Sequence, residues 1–571
     1  MFRLLLLTFA IALTTPLKAA EPDWIGHHGH VITVDAKFQI AEAFAVSGDK
    51  IVAVGSNEEI QKLAGAKTEQ VDLQGRTVIP GLCDSHVHPT GASLYEFDHP
   101  IPDMQSIADV LSYVAERTKV VPEGEWIVMS QVFVTRLRDQ RYPTRSELDQ
   151  VAPKHPVLFS TGPDSSVNSL ALSLNKIDKD FKITDGQPGF LERDAQGELT
   201  GILRSCTRLI KTKSTAKSPT PAEREARFKE LLASYNSVGL TSLCDRAASE
   251  GSIDLYAKIR DQGELNCRVF ASASVNAQDP LDKIQAAIEK IAASPLHQRN
   301  DRLWVRGIKV FLDGGMLTGS AYMQKPWGVS TIYSITDPEY RGLLYIQPDK
   351  LRDIARMALK HDLQMTAHSV GDGAVQTLVD CYDALDKEFP VRDMRPCVTH
   401  CNFMSAEIIQ KMQRLGVVAD LQPAWLYLDG RTLLRQFGDE RLAFFQPYKT
   451  LFDSGVIVGG GSDHMQKIGS FRAVNPYNPW LGMWTTLTRQ PRGMTESLHP
   501  EQALTRQQAL ALYTINNAYL TFEEKEKGSL EPGKLADFVI LTKDPLTCSL
   551  VELHDMTVEE TWLGGKRVWK K

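Results

Sequence analysis

His86 and His88 stand one residue apart in the run Gly-Leu-Cys-Asp-Ser-His-Val-His-Pro, from Gly81 to Pro89. On a strand, side chains two apart leave the same face, so both imidazoles can reach one cation. The preceding Thr-Val-Ile-Pro-Gly-Leu predicts a buried strand over 78–88 with the histidines at its C-terminal end, where barrel enzymes carry their chemistry. Four further candidate groups sit in or at the end of apolar, strand-like runs: Lys309 in Gly-Ile-Lys-Val-Phe-Leu, His368 after Gln-Met-Thr-Ala, His400 after Cys-Val-Thr, and Asp463 after Gly-Gly-Gly-Ser. A His-x-His pair alone also occurs in polar loops. The ordered set is what points to a metal site. Lys309 is the unusual member, because burying an unpaired ammonium is costly. It can snorkel to an edge, pair with Asp313, or carry a carbamate that offers oxygen ligands to two cations.

The order His-x-His, Lys, His, His, Asp resembles the binuclear amidohydrolase superfamily, and within it the amidohydrolase 3 branch of N-substituted formamide deformylase-like, metal-dependent hydrolases. The resemblance rests on Gly-Ile-Lys-Val-Phe-Leu-Asp-Gly-Gly (307–315), Ala-His-Ser-Val-Gly-Asp-Gly-Ala-Val (367–375), Gly-Ser-Asp (461–463) and Gly-Ser-Leu-Glu-Pro-Gly-Lys-Leu-Ala-Asp-Phe-Val-Ile-Leu (528–541), and spans nearly the whole chain after residue 20. It implies a fold, an α/β (β/α)8 TIM-type barrel, and a cofactor, two divalent ions with zinc expected. His86 and His88 would hold one ion, His368 and His400 the other, and carbamylated Lys309 would bridge them. Asp463 would bind the first ion and act as the catalytic residue, taking a proton from a metal-bridging hydroxide and returning it to the leaving amine.

Four positions depart from the family pattern: Gly373 replaces an arginine, His464 and Met465 follow Asp463 where a small residue and proline are usual, and Thr399 stands where glutamate is common. All neighbour the ligands, so they bear on substrate choice. Asp313, Tyr322, Asp372, Trp425 and His464 are the candidates for the substrate-binding wall, with packing the competing role for the aromatics. The implied reaction is hydrolysis of a carbon–nitrogen bond in a non-peptide amide. Esters, lactones and dipeptides are open to the same attack, and a catalytically silent regulatory or binding protein on this fold would be expected to lose ligands that this chain keeps.

Composition agrees. Of 571 residues 43% are hydrophobic, enough for a large core, and a net charge of −6 without a basic block gives no basis for nucleic-acid or membrane-surface partners. The expected partner is a small-molecule substrate, with a homodimer as the assembly to test. Met1–Arg3, the apolar stretch 4–13 and Lys18-Ala19-Ala20 read as a signal peptide (1–20) too short to anchor in a bilayer, which predicts export to a bacterial periplasm with no membrane association after cleavage. The eight cysteines form no Cys-x-x-Cys pair and read mainly as buried small hydrophobes, Cys83 and Cys401 being noted because they flank proposed ligands. His27, His28 and His30 lie in a run with Gly26 and Gly29 and no other ligand type nearby in sequence, and read as exposed turn residues.

Short β-type runs with turn signals occupy both ends of the chain, and neither end can bury a two-sheet core alone. Residues 21–80 and 516–571 are therefore expected to combine into one composite β-sandwich domain beside a barrel at 81–515. Barrel strands are expected near 78–88, 240–245, 268–272, 307–312, 364–368, 397–400, 417–422 and 456–463. Residues from about 95 to 235 exceed any ordinary crossover and predict an α+β insertion after the first strand, one that in relatives roofs the site.

Overall fold

The computed structural model describes residues 21–130, 132–213 and 217–571; the expected signal segment, 1–20, lies outside the described residues. Among the described residues no helix is long and apolar enough to cross a membrane.

Eight parallel strands form the central sheet: β1 (Leu82–Val87), β2 (Leu240–Ala248), β3 (Arg268–Ser274), β4 (Leu303–Phe311), β5 (Gln364–Ser369), β6 (Cys397–His400), β7 (Val418–Leu421) and β8 (Val458–Gly460). Every residue of β1, β6 and β7 is buried, as expected for strands covered on both faces. The ladder runs in chain order from β1 to β8. The last gap is closed beyond the strand ends, where Asp463 N–H donates to His86 C=O at 2.7 Å, His88 N–H donates to His464 C=O at 2.8 Å, and Val87 bridges His464. The result is a nearly closed TIM-type barrel. Amphipathic helices cover its outside; Pro348–Lys360, for example, buries Leu351, Ile354, Ala355, Ala358 and Leu359 along one stripe.

The strand expected over 78–88 is two strands. Thr77–Pro80 pairs antiparallel with Phe538–Leu541 in another sheet, whereas Leu82–Val87 joins the barrel. The break falls at Gly81, where a Cβ would lie 2.3 Å from Thr241 Oγ1 and where the N–H donates at 2.9 Å to Asp537 C=O. The eighth strand is shorter than expected and ends at Gly460, which leaves Asp463 on the following loop.

Two further sheets lie outside the barrel. A six-stranded sheet takes Lys566–Lys570, Val558–Leu563 and Phe538–Leu541 from the C-terminal end and Thr77–Pro80, His30–Ile32 and Ile40–Ala41 from the N-terminal end, in that order. A four-stranded sheet orders Lys50–Gly55, Ala43–Ser47, Trp24–His27 and Glu69–Asp72. Trp24, Phe44, Val78, Phe538 and Ile540 share one apolar cluster between them. Between β1 and β2 the chain builds a five-stranded sheet, Phe190–Arg193, Leu199–Arg204, Ser165–Val167, Val157–Ser160 and Ile127–Ser130, flanked by the helices Ile107–Arg117, Arg145–Val151 and Ser169–Leu174.

Candidate metal centre

The C-terminal ends of β1, β4, β5 and β6, with the loop after β8, converge on a cavity of about 330 Å³. His86, His88, Lys309, His368, His400 and Asp463 all line it, together with Asp313 and Trp425. Phe133, Thr161, Gly162 and Pro163 of the insertion also line it, as do Met316, Leu317 and Thr318 of the segment after β4.

Three donor atoms meet tightly. His86 Nε2 and His88 Nε2 are 3.2 Å apart, and Asp463 Oδ1 lies 3.4 and 3.2 Å from them. Ligands on a tetrahedral ion at about 2.0–2.1 Å stand about 3.3–3.4 Å apart, so this trio fits one cation. The far sides of the rings are fixed: His86 Nδ1 is 3.1 Å from Asp420 Oδ2, and Asp420 also accepts from Ser85 Oγ at 2.6 Å. A carboxylate on Nδ1 fixes the tautomer that leaves Nε2 free to bind metal. Gln422 Oε1 does the same for His400 Nδ1 at 2.8 Å.

His400 joins the two halves of the site, its ring stacking on Trp425 (4.8 Å, 12°), lying 4.9 Å from His86 and 4.5 Å from His368. His368 Nε2 is 3.3 Å from Gly314 C=O. Burial, reinforced by the positive charge of Lys309, pushes His368 down to about 3 and holds His86 well below the ordinary histidine value; burial and then His368 do the same to His400. Neutral imidazoles are the form that binds metal. The donor set of His86, His88 and Asp463 therefore fits one divalent cation, and His368 and His400 line the same cavity beside it.

Lys309 is buried on β4, and burial lowers its ammonium to about 8 against the attraction of Asp420 and Asp463. It does not pair with Asp313, whose carboxylate accepts the backbone N–H groups of Tyr322, Val370 and Gly371, each at 3.0 Å. Nor does it snorkel: Lys309 is 1% exposed.

Two ligand candidates have unusual backbones. His400 and Asp463 adopt left-handed φ values of 77° and 54°, a conformation L-residues other than glycine hold only when their surroundings impose it. At Asp463 the backbone is gripped on both sides, its N–H by His86 and its C=O by Asn475 Nδ2 at 2.7 Å.

The remaining wall candidates sit elsewhere. His464 turns away from the cavity: its Nδ1 meets Tyr235 Oη at 2.6 Å, and its Nε2 meets the carbonyls of Gln466 and Lys467 at 2.8 Å. Tyr322 packs over Gly371 and Gly373, where a Cβ on Gly373 would come within 2.8 Å of the tyrosine ring, which accounts for glycine at that departure from the family pattern. Asp372 starts the helix Asp372–Leu385 and accepts Gln324 N–H at 2.8 Å. None of the three lines the cavity.

Sequence reading missed Asp420 and Gln422, which orient His86 and His400. The signal was present, since the two polar residues lie two apart in Val-Val-Ala-Asp-Leu-Gln, the same one-face spacing as the histidine pair. It also missed Arg246, fully buried on β2, which donates to Ser85 C=O at 3.0 Å and Gln364 Oε1 at 2.9 Å beneath the site.

Known proteins share this architecture. The chain is 28% identical over 551 residues to the N-substituted formamide deformylase of Arthrobacter pascens, covering 94% of this chain and 96% of the relative. Among solved structures, a metal-dependent hydrolase of Pyrococcus horikoshii OT3 superposes with a TM-score of 0.66 at 21% identity, over 92% of this chain and 99% of that one. The atrazine chlorohydrolase TrzN of Arthrobacter aurescens TC1, whose structure contains zinc, superposes with a TM-score of 0.53 at 15% identity, over 96% of this chain and 95% of that one. The model of the amidohydrolase family matches residues 69–569, and the chain belongs to that family.

Proposed function

We propose that the protein is an exported, metal-dependent amidohydrolase that cleaves the carbon–nitrogen bond of a non-peptide amide, the export resting on the sequence of residues 1–20. The observation that carries the reading is the convergence of His86 Nε2, His88 Nε2 and Asp463 Oδ1 in a covered cavity that also holds Lys309, His368 and His400. In this reading His86, His88 and Asp463 hold one divalent ion, zinc being the proposed metal, and His368 and His400 a second. Bound ions supply a water acidified towards neutral pH.

Lys309 carries a carbamate in this proposal. With burial lowering the ammonium to about 8, part of it is neutral amine near neutral pH; the amine nitrogen bonds to the carbon of CO2, a proton leaves, and the side chain becomes an anionic carbamate whose oxygens would be available to divalent ions. Asp463 takes the proton of the attacking water and returns it to the departing nitrogen, so that the C–N bond breaks with loss of a neutral amine. The insertion residues over the mouth limit bulk water around the reacting carbonyl. The terminal sheets, 21–80 with 516–571, act in this proposal as one domain that supports the barrel without contributing to the chemistry.

The test is a turnover screen of zinc-loaded protein on formamides, N-acyl amines, dipeptides and lactones, repeated after chelation. Turnover on a formamide or N-acyl amine, lost on chelation and restored by zinc, is the expected result. Full turnover in protein shown by elemental analysis to be metal-free would overturn it.

A further inference from the structure

The geometry points to a second divalent transition-metal site on the surface, built from His27, His28 and Asp72 and separate from the barrel centre. His27 ends the strand Trp24–His27 and lies directly opposite Asp72, the last residue of the parallel strand Glu69–Asp72. His28 follows in a left-handed turn (φ 53°), its N–H held by Asn57 Oδ1 at 2.7 Å. That turn places the two rings edge to face, at 86°, with their Nδ1 atoms 3.1 Å apart. His28 Nδ1 is 3.5 Å from Asp72 Oδ1, and one donor atom from each of the three residues lies within 4.8 Å of the others.

These spacings bracket the roughly 3.3–3.4 Å expected between ligands of a tetrahedral ion. The 3.1 and 3.5 Å pairs are close to the 3.2 and 3.4 Å spacings in the barrel. The register explains why the sequence hid the site: Asp72 is remote in the chain and is brought to His27 by strand pairing, whereas the adjacent His30 is directed to Asp544, 3.4 Å away. Asp72 is steadied by Gln74 N–H, which donates to Oδ1 at 2.9 Å. Two imidazoles and one carboxylate favour zinc, copper(II) or nickel(II) over calcium or magnesium, which prefer all-oxygen shells. His28 and Asp72 are about half exposed, so water completes the shell. A bound ion would tie the turn to two strands of the four-stranded sheet and stabilise that sheet through linkage.

The test uses the full zinc-loaded protein with zinc alone as probe. After dialysis against buffered micromolar zinc, the parent should retain one zinc per chain more than His28→Asn or Asp72→Asn. Asparagine suits both positions: it tolerates the left-handed backbone at residue 28 and keeps an oxygen acceptor for Gln74 N–H at residue 72. Added zinc should raise the thermal midpoint of the parent above that of either variant, while turnover is the same in all three. Equal zinc content in the parent and both variants would overturn the site and show the histidine pair to be a plain hydrogen bond; it would leave the barrel centre untouched, since that centre is read separately by turnover.

Discussion

A carboxylate that both binds an ion and moves a proton must keep its oxygens free of other fixed partners. The hydrogen bonds of Asp463 to His86 and Asn475 go through its backbone, and its carboxylate lies against His86 and His88 at 3.4 and 3.2 Å. Asp463→Asn should therefore keep the fold and most of the bound metal but lower turnover by about a hundredfold or more, the range for a lost general acid–base group. Near-parental turnover of the purified variant on a confirmed amide would remove Asp463 from the proton transfer. Lys309→Ala is a different lesion. It deletes the group from which the carbamate forms, so elemental analysis should show loss of one ion, with turnover falling and partly returning when formate or acetate is added to fill the gap. Metal content unchanged from that of the parent would show that Lys309 is not a ligand. At this scale the ligand candidates were legible because histidines and a lysine are out of place in apolar runs. Asp420 and Gln422 were not, because their role depends on facing His86 and His400 across a closed barrel, a relation that no single strand displays.

The elements hold these residues only if the insertion stays docked over the barrel mouth. Arg136, three residues after the cavity-lining Phe133, donates to Asp429 Oδ2 at 2.9 Å and to Asn475 Oδ1 at 2.9 Å, and Thr135 Oγ1 donates to Asp429 Oδ1 at 2.8 Å. Asp429 is fully buried on the helix Pro423–Phe437, which also carries Trp425. Asn475 meanwhile grips the carbonyl of Asp463, so the roof and the proposed proton carrier share one network. Asp429→Ala would strand a nearly buried guanidinium and loosen this docking. The expected outcome is a drop in kcat/KM of about ten- to a hundredfold, mostly in KM, in a variant whose circular dichroism still shows the barrel. An unchanged KM would mean that Arg136 does not position the roof. Strand periodicity located all eight barrel strands to within a few residues, because apolar runs with β-branched residues are their own signal. In the segment between β4 and the helix Pro348–Lys360 only Asp313 and Tyr322 were read as wall residues; Met316 and Leu317 were not, because the segment has no period and they show their role only when buried in one cluster with Trp425.

At the scale of the whole molecule, the two ends of the chain meet in one sheet and the junction with the barrel runs through Asp537. Its carbonyl accepts Gly81 N–H, at the break between Thr77–Pro80 and β1. Its carboxylate forms a forked pair with Arg268 on β3, Nε at 2.6 Å and Nη2 at 2.8 Å, and accepts Gly564 N–H at 2.7 Å. Both side chains are almost fully buried. Burial alone would raise the carboxyl of Asp537, but the charge and hydrogen bonds of Arg268 outweigh it and hold the group below its ordinary value of 3.8. A carboxylate lowered on folding adds stability that is complete above its unfolded value and is lost as pH falls through its folded one. Asp537→Asn should therefore cost about 3–5 kcal/mol near pH 7, because it leaves the buried guanidinium without its main counter-charge. Denaturant unfolding measured from pH 7 downward should show a gap between parent and variant that narrows only below about pH 3.8, the unfolded carboxyl value, and shrinks further as pH falls towards the lowered folded one. A gap that stays constant down to pH 3 would mean that the pair does not carry the junction between the terminal sheet and the barrel.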